Sequence, residues 1–238
     1  MDRHLDWPGC INTRDLGGLR TADGRETTWG AVVRSDNPAY LTAEGWTALH
    51  DYGIRSIAAL RTLGADDDEP DSQMVPADVR IERVVVEDGT DSVFGERCID
   101  TGLWCTPIFF GEMLDRWPER CAAAVSAVAQ APPGGVVISC GRGCDRTGLV
   151  AFLLLAIVGV SGEDIAHDWT MSVDRLRSRD PTFEGALQEV LDRERTSVAD
   201  SIERILNSFD IPSRLIGGGL AVTDLKAIEH RLLAPGLG

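Results

Sequence analysis

Between Gly134 and Val160 the sequence leaves little choice of architecture. Gly134-Gly-Val-Val-Ile-Ser139 is continuously apolar and rich in β-branched residues, the pattern of a strand in the middle of a sheet covered on both faces. Leu149–Val160 is the longest apolar run in the chain. At twelve residues it falls well short of the roughly 20 that a membrane-crossing helix needs. With Thr147 as its start it reads as a helix that is apolar all round and therefore central. A core strand and a core helix joined by the polar stretch Cys140–Arg146 carry that stretch to the carboxyl edge of a sheet, where α/β proteins collect their ligands.

Strand and helix patterns alternate before this unit. Residues 1–30 read as loops with a short hairpin, and Ala31-Val-Val-Arg34, Ile54–Leu60 and Arg80–Val86 as strands. Thr42 caps a helix with Leu41, Trp46 and Leu49 on one face, and Gly53 stops it. Residues 107–130 are helical with an interruption at Trp117-Pro118, because proline bars its predecessor from the α region and suits a new first turn. The acidic run Asp66-Asp-Asp-Glu-Pro-Asp71 is expected to be a solvated loop. After Val160 only helices are expected, with starts at Ser161-Gly-Glu-Asp164 and at Asp180-Pro181. The fold class that follows is α/β, a central mostly parallel sheet flanked by helices with a helical C-terminal third, and residues 1–238 as a single domain.

The charge balance removes several functions. Lys and Arg number 23 against 38 Asp and Glu, a net charge of −15. Such a surface repels phosphate backbones and anionic lipid, so extended nucleic-acid binding is not expected. The N-terminus lacks an apolar leader, which points to the cytoplasm. Cys10, Cys98, Cys105, Cys121, Cys140 and Cys144 form no C-x-x-C pair, and histidines at 4, 50, 167 and 230 give no ligand spacing. Neither a disulfide framework nor a metal or cofactor is expected. Oligomeric state leaves no signature.

The chemistry concentrates in Ser139-Cys-Gly-Arg-Gly-Cys-Asp-Arg-Thr-Gly148. Five residues between Cys140 and Arg146 suffice to wrap backbone N–H groups around one small tetrahedral anion, with Gly141 and Gly143 easing the turn and Arg142, Cys144 and Asp145 completing the ring. A thiol at a helix N-terminus beside an arginine titrates at roughly 3.5 to 7.5, so the pattern predicts a nucleophilic thiolate at Cys140 without a separate base. The planar fork of Arg146 binds two phosphoryl oxygens at any working pH. Thr147 is placed to donate its hydroxyl to the Cys140 sulfur, and Asp145 to give a proton to a departing alkoxide or phenoxide.

These residues carry a resemblance. Cys140-x5-Arg146-Thr147-Gly148 after an apolar strand resembles the phosphate loop of the protein tyrosine phosphatase superfamily. The Asp-Arg-Thr-Gly ending is similar to that of the bacterial tyrosine/serine phosphatase family, whose loop commonly runs H-C-x-x-G-K-D-R-T-G. Asn12-Thr-Arg-Asp-Leu-Gly-Gly18, Val33-Arg-Ser35 and Ala59-Leu-Arg61 resemble that family's N-F-R-D-L-G-G, R-S and D-L-R segments, so the likeness spans roughly residues 10 to 175. The resemblance implies a metal-independent phosphomonoesterase with a phosphocysteine intermediate. It also implies Asp145 as general acid, Arg14 and Asp15 as braces of the loop, and a phosphorylated protein or a small-molecule phosphomonoester as substrate.

Three departures bear on activity: Ser139 stands for the usual histidine, Cys144 for the lysine and Ala59 for the aspartate. They keep open a phosphate-binding pseudophosphatase and a sugar or nucleotide phosphatase of the same mechanism. A sulfurtransferase or arsenate reductase is a further rival, since both build anion loops around a cysteine. Cys144 is a candidate partner for Cys140 in a protective disulfide, and the other four cysteines read as packing. Trp117-Pro118-Glu119 and Asp6-Trp-Pro8 mimic a mobile acid loop without filling its place. His167, Asp168 and Ser172 are expected either on a solvated stripe or at the mouth of the site.

Overall fold

Strands β1 (Arg14–Asp15), β2 (Val32–Ser35), β3 (Ile54–Leu63), β4 (Arg80–Asp88) and β5 (Gly135–Ser139) lie side by side in the order β1-β2-β5-β3-β4. They belong to a computed structural model that describes residues 3–65 and 68–233. Every pairing is parallel except that of β1 with β2. The fully buried β5 is the centre, as its unbroken apolar sequence requires. Ser139 at its end stands in register with Ser35 on one side and Ala59 on the other. β2 and β5 thus finish at one level while β3 runs on to Leu63, and the Cys140–Asp145 loop leaves from β5, between those neighbours, at that edge of the sheet.

The two faces of the sheet are covered unequally. Val33, Ile57 and Val137 turn to a small core with Trp7, Trp46 and Leu49, supplied by the N-terminal segment and α1 (Ala43–Asp51). Their alternate neighbours Val32, Ala58, Leu60, Val136 and Ile138 turn to the main core. That side carries α2 (Ser92–Asp100), α3 (Phe110–Arg116), α4 (Pro118–Ala129), α5 (Arg146–Ile157), α6 (Gly162–Leu176), α7 (Phe183–Arg193), α8 (Val198–Ser208), α9 (Ile211–Gly217) and α10 (Val222–Leu233). Helix α5 is buried from Thr147 through Leu155 because it meets sheet, α4, α6, α9 and α10 around its whole girth. Gly148 permits the closest of these approaches. A Cβ there would stand 3.0 Å from the Trp169 ring of α6.

Local signals place most boundaries. The Thr42 hydroxyl accepts the Gly45 N–H at the start of α1, and Gly53 follows its end with φ +95°. Trp117 separates α3 from α4, and Pro118 is the first residue of α4. The Ser161 hydroxyl accepts the Asp164 N–H to open α6. The expected start at Asp180-Pro181 is corrected: α7 begins at Phe183 after Thr182. The Asp180 carboxylate accepts the N–H and hydroxyl of Thr182 in a turn ahead of the helix, and it pairs with Arg142 at 3.0 Å. Helix α2, which the sequence pattern did not reveal, is opened by the Asp91 side chain on the Phe94 N–H.

Of the acidic run, Asp66 and Asp67 lie outside the described residues. Glu69 is not merely solvated, since it bridges Arg61 and Arg83 at 2.9 Å each and ties the β3–β4 connection to both strands. Because α5 is the axis of the main core, truncating Leu153, which is fully buried there, is expected to cost about 2–5 kcal/mol. Urea unfolding of Leu153→Ala should show a lowered midpoint with an unchanged slope.

Candidate active site

The loop that leaves β5 is fixed from behind by side chains of three other segments. Asn12 donates its amide N–H groups to the carbonyls of Arg142 (3.0 Å) and Gly143 (3.2 Å). Arg34, at the end of β2, donates to the Gly143 carbonyl at 2.8 Å. Gly143 itself has φ +70°, and a Cβ there would fall 2.7 Å from the Ser35 carbonyl oxygen, so the loop closes against β2 only with glycine at this place.

Behind Asn12 and Arg34 lies a buried ionic cluster. Arg34 pairs with Asp168 at 2.6 Å and Arg14 with the same carboxylate at 3.1 Å, all three side chains being 1% exposed. Arg3 adds a third contact at 2.8 Å. Arg14 also donates to the Asn12 side-chain oxygen (2.7 Å), the Asp168 carbonyl (2.5 Å) and the Ser172 hydroxyl (3.0 Å). Burial alone would raise the Asp168 carboxyl, but the three guanidinium groups override it and hold the group well below the usual carboxylate range. Burial, and then the like charge of Arg34, push Arg14 down to about 10. Asp168 and Ser172 are therefore neither a solvated stripe nor part of the mouth. They are the support of the loop.

Asp36 performs a similar service one residue beyond β2. It accepts the N–H groups of Ile11 and Asn12 at 3.1 Å each and pairs with Arg179 at 2.6 Å, which holds the N-terminal segment against the loop. Asp15 does something else than brace the loop. Its carboxylate accepts the N–H groups of Gly17 and Gly30 (2.7 Å each) and the Tyr52 hydroxyl (2.5 Å), closing the turn between β1 and β2.

Within the loop, Cys140 is 6% exposed at the strand end. Arg146, the first residue of α5, donates to the Leu60 carbonyl at 3.0 Å and faces Glu87 of β4 at 3.6 Å, with Gly141 beside its guanidinium. The Ala59-Leu-Arg61 segment thus contributes a backbone carbonyl to the arginine. Gly148 and Leu149 return their N–H groups to Cys144 and Asp145, which leaves the amides of Arg146 and Thr147 outside the helical ladder at the end of α5 that faces the loop. No side chain caps α5, because the Asp145 carboxylate is drawn away to Cys105. Such a helix N-terminus favours an anion.

Several expected contacts differ. The Thr147 hydroxyl is buried with no hydrogen-bond partner among the described residues, so it does not reach the Cys140 sulfur. Cys144 is fully buried and faces Cys105 rather than Cys140 as its neighbouring sulfur. Cys105 is correspondingly not a simple packing residue: its N–H and its thiol (3.1 Å) both donate to Asp145. Burial raises the Asp145 carboxyl despite these bonds and the nearby arginines. Arg142 points outward, paired with Asp180 and lying 4.9 Å over the Phe183 ring. Glu119 is exposed in the first turn of α4, while Trp117 packs on Phe94 at 5.0 Å.

A cleft of about 220 Å³ opens at Glu87, the residue that faces Arg146, and is lined also by Asp88, Asp91, Phe94, Trp104 and Trp117. Arg34, Asp36, Glu87 and Cys105 were not singled out as site residues from sequence. The short Val33-Arg-Ser35 likeness was the one signal near any of them.

Comparison with known proteins agrees with this geometry. The description of the tyrosine phosphatase family matches residues 5–234. Over 180 residues the chain is 30% identical to a protein of Cupriavidus necator provisionally assigned as a tyrosine-protein phosphatase, covering 73% of this chain and 64% of that one. It is 27% identical over 155 residues to a tyrosine-protein phosphatase of Nostoc commune, covering 63% and 50%. With the triple specificity protein phosphatase PtpB of Mycobacterium tuberculosis it shares 28% over 205 residues, covering 72% and 71%. The chain spans between half and two thirds of the length of the first two.

The buried cluster generates a stability prediction. Asp168→Asn leaves two buried guanidinium groups without their carboxylate and is expected to cost about 3–5 kcal/mol. Because the native carboxyl sits below its unfolded value, its contribution is present above about pH 4 and is lost progressively as pH falls further. Urea unfolding at a series of acidic pH values should show this loss in the wild type and its absence in the variant.

Proposed function

The chain belongs to the tyrosine phosphatase family, and from that premise we propose that it hydrolyses phosphomonoesters through a phosphocysteine intermediate, with no metal ion needed in either step. The observation that carries this reading is the placement of Cys140 and Arg146 at the two ends of one loop, on the carboxyl edge of the sheet and against the uncapped N-terminus of α5.

In the first step the Cys140 sulfur attacks phosphorus, the bond from phosphorus to the ester oxygen breaks, and that oxygen takes the proton of Asp145. Arg146, with the amides of Gly141, Arg142, Gly143, Cys144 and Asp145, holds the three remaining oxygens as charge builds on them. In the second step water attacks the phosphocysteine, Asp145 takes its proton, and the sulfur–phosphorus bond breaks to release phosphate. The rise that burial imposes on the Asp145 carboxyl supports its service as an acid. The buried Thr147 hydroxyl, unpaired in the first turn of α5, is the donor this reading assigns to the sulfur.

The cleft at Glu87 supports an aromatic leaving group over a polyanionic one. Phe94, Trp104 and Trp117 offer ring surface, while Glu87, Asp88 and Asp91 repel additional phosphates. Phosphotyrosine in a protein is the substrate class this favours, with phosphoserine and small sugar or nucleotide phosphates behind it. One contact favours a second reading, phosphate binding without turnover: both oxygens of Asp145 are engaged by Cys105.

Two measurements test these readings. Hydrolysis of p-nitrophenyl phosphate in EDTA should vanish in Cys140→Ser. Tight vanadate binding by a wild type that turns over no phosphomonoester would establish the second reading instead. Asp145→Asn should lower kcat by about 10²–10⁴-fold on phenyl phosphate, and by less on p-nitrophenyl phosphate, whose leaving group needs no proton.

A further inference from the structure

Three donor atoms converge at the loop, two from its adjacent residues Cys144 and Asp145 and one from Cys105, about 40 residues earlier in the chain. The sulfurs of Cys105 and Cys144 and a carboxylate oxygen of Asp145 all lie within 4.8 Å of one another. Cys144 is fully buried and Cys105 nearly so, and neither sulfur has a part in the proposed chemistry. The conformation of Cys105 is independent of that convergence and points the same way. Its φ of +61° is left-handed, a region a non-glycine residue keeps only where its surroundings over-determine it. Held so, Cys105 aims both its N–H and its sulfur at the Asp145 carboxylate. Simple packing of a turn would require neither.

Two thiols and a carboxylate with a fourth direction open make a donor set for a borderline-soft divalent cation. In a tetrahedral zinc site neighbouring sulfurs stand about 3.7 Å apart, so side-chain movement of about 1 Å completes the geometry. A route exists as well. Cys105 lines a cavity of about 310 Å³ whose wall holds the exposed carboxylates of Asp100 and Glu189 against the single cation Arg193, and which has room for a water as fourth ligand.

We propose that Cys105, Cys144 and Asp145 form a binding site for Zn²⁺ or a cation of the same class. Binding sends both thiol protons, and any proton on Asp145, to solvent. On the reading of Asp145 as general acid, an occupied site withdraws that acid from the first step, so the cation is a reversible inhibitor that acts without touching Cys140.

The test is a Co²⁺ titration of the Cys140→Ser protein under reducing conditions, where the proposed nucleophile is absent and turnover plays no part. One equivalent should bind with sulfur-to-metal charge transfer and the strong visible bands of a tetrahedral thiolate site, and Zn²⁺ should displace it. Adding Cys105→Ala to that background should weaken binding by at least about tenfold, the loss typical of removing even an outer-sphere partner. Cys98→Ala, a buried cysteine outside the cluster, should leave binding intact. A Cys140→Ser protein without the charge-transfer band, or equal binding in the Cys105→Ala background, overturns the site. Circular dichroism checks each variant, and Cys105→Ser replaces Cys105→Ala should the latter fail to fold. Zn²⁺ inhibition of wild-type turnover that persists undiminished in Cys105→Ser overturns the inhibitory role.

Discussion

Asp168 is one carboxylate set against three guanidinium groups, two of which are removed from water with it. Burying each ion costs several kcal/mol, and attraction within the cluster offsets that cost only where every donor finds an acceptor. Most do here, and two of the acceptors lead into the loop: Arg34 reaches the Gly143 carbonyl, and Arg14 reaches Asn12, whose amide holds Arg142 and Gly143. The loop is thus anchored by charge rather than by apolar packing. The cluster also leaves an excess of positive charge behind the loop, in a chain whose net charge is −15. Long-range repulsion of anions and local attraction for one anion coexist because the latter acts at short range in a less polarisable interior.

The sheet supplies the frame that makes this anchoring possible. Since β2, β5 and β3 are parallel and in register at Ser35, Ser139 and Ala59, the residues just beyond those positions meet at one edge. Asp36 follows β2, Cys140 follows β5, and Leu60 in β3 presents its carbonyl to Arg146. A shift of one residue in β5 would turn Val137 and Ile138 to the opposite faces, so the two cores that flank the sheet hold the register that the site needs.

What the sequence disclosed follows from the range of the interactions involved. Local signals were readable: the apolar β5, the apolar α5, the caps at Thr42 and Ser161 and the Trp117-Pro118 break are all written within a few residues. Cys140 to Gly148 was readable for the same reason, because strand, anion loop and helix are contiguous. Asp168 is 154 residues from Arg14 and 134 from Arg34, so nothing near it in sequence announces that two arginines need it. Asp36 and Arg179, 143 residues apart, pose the same difficulty. The start of α7 was misplaced because Asp180 is recruited by Arg142, a tertiary partner that overrides the local preference of Asp-Pro. Cys144 was read as a residue of the anion loop and a candidate partner of Cys140, and Cys105 as packing; their convergence was missed because spacing rules detect only ligands that share a turn or a hairpin.

Asp145 is where the local and the distant meet. Its position before α5 is that of a helix cap, yet its carboxylate leaves the helix and takes both donors of Cys105 instead. Two consequences follow from one displacement. The N-terminus of α5 carries no side-chain cap, whereas a capping carboxylate would have repelled and obstructed an anion there. On the proposed mechanism, the same displacement means that Asp145 releases a proton toward a leaving group only by loosening its hold on Cys105. Cys105 sits in the turn between α2 and α3, so the proposed acid is tied through one carboxylate to the segment that also supplies Phe94 and Trp104 to the cleft at Glu87.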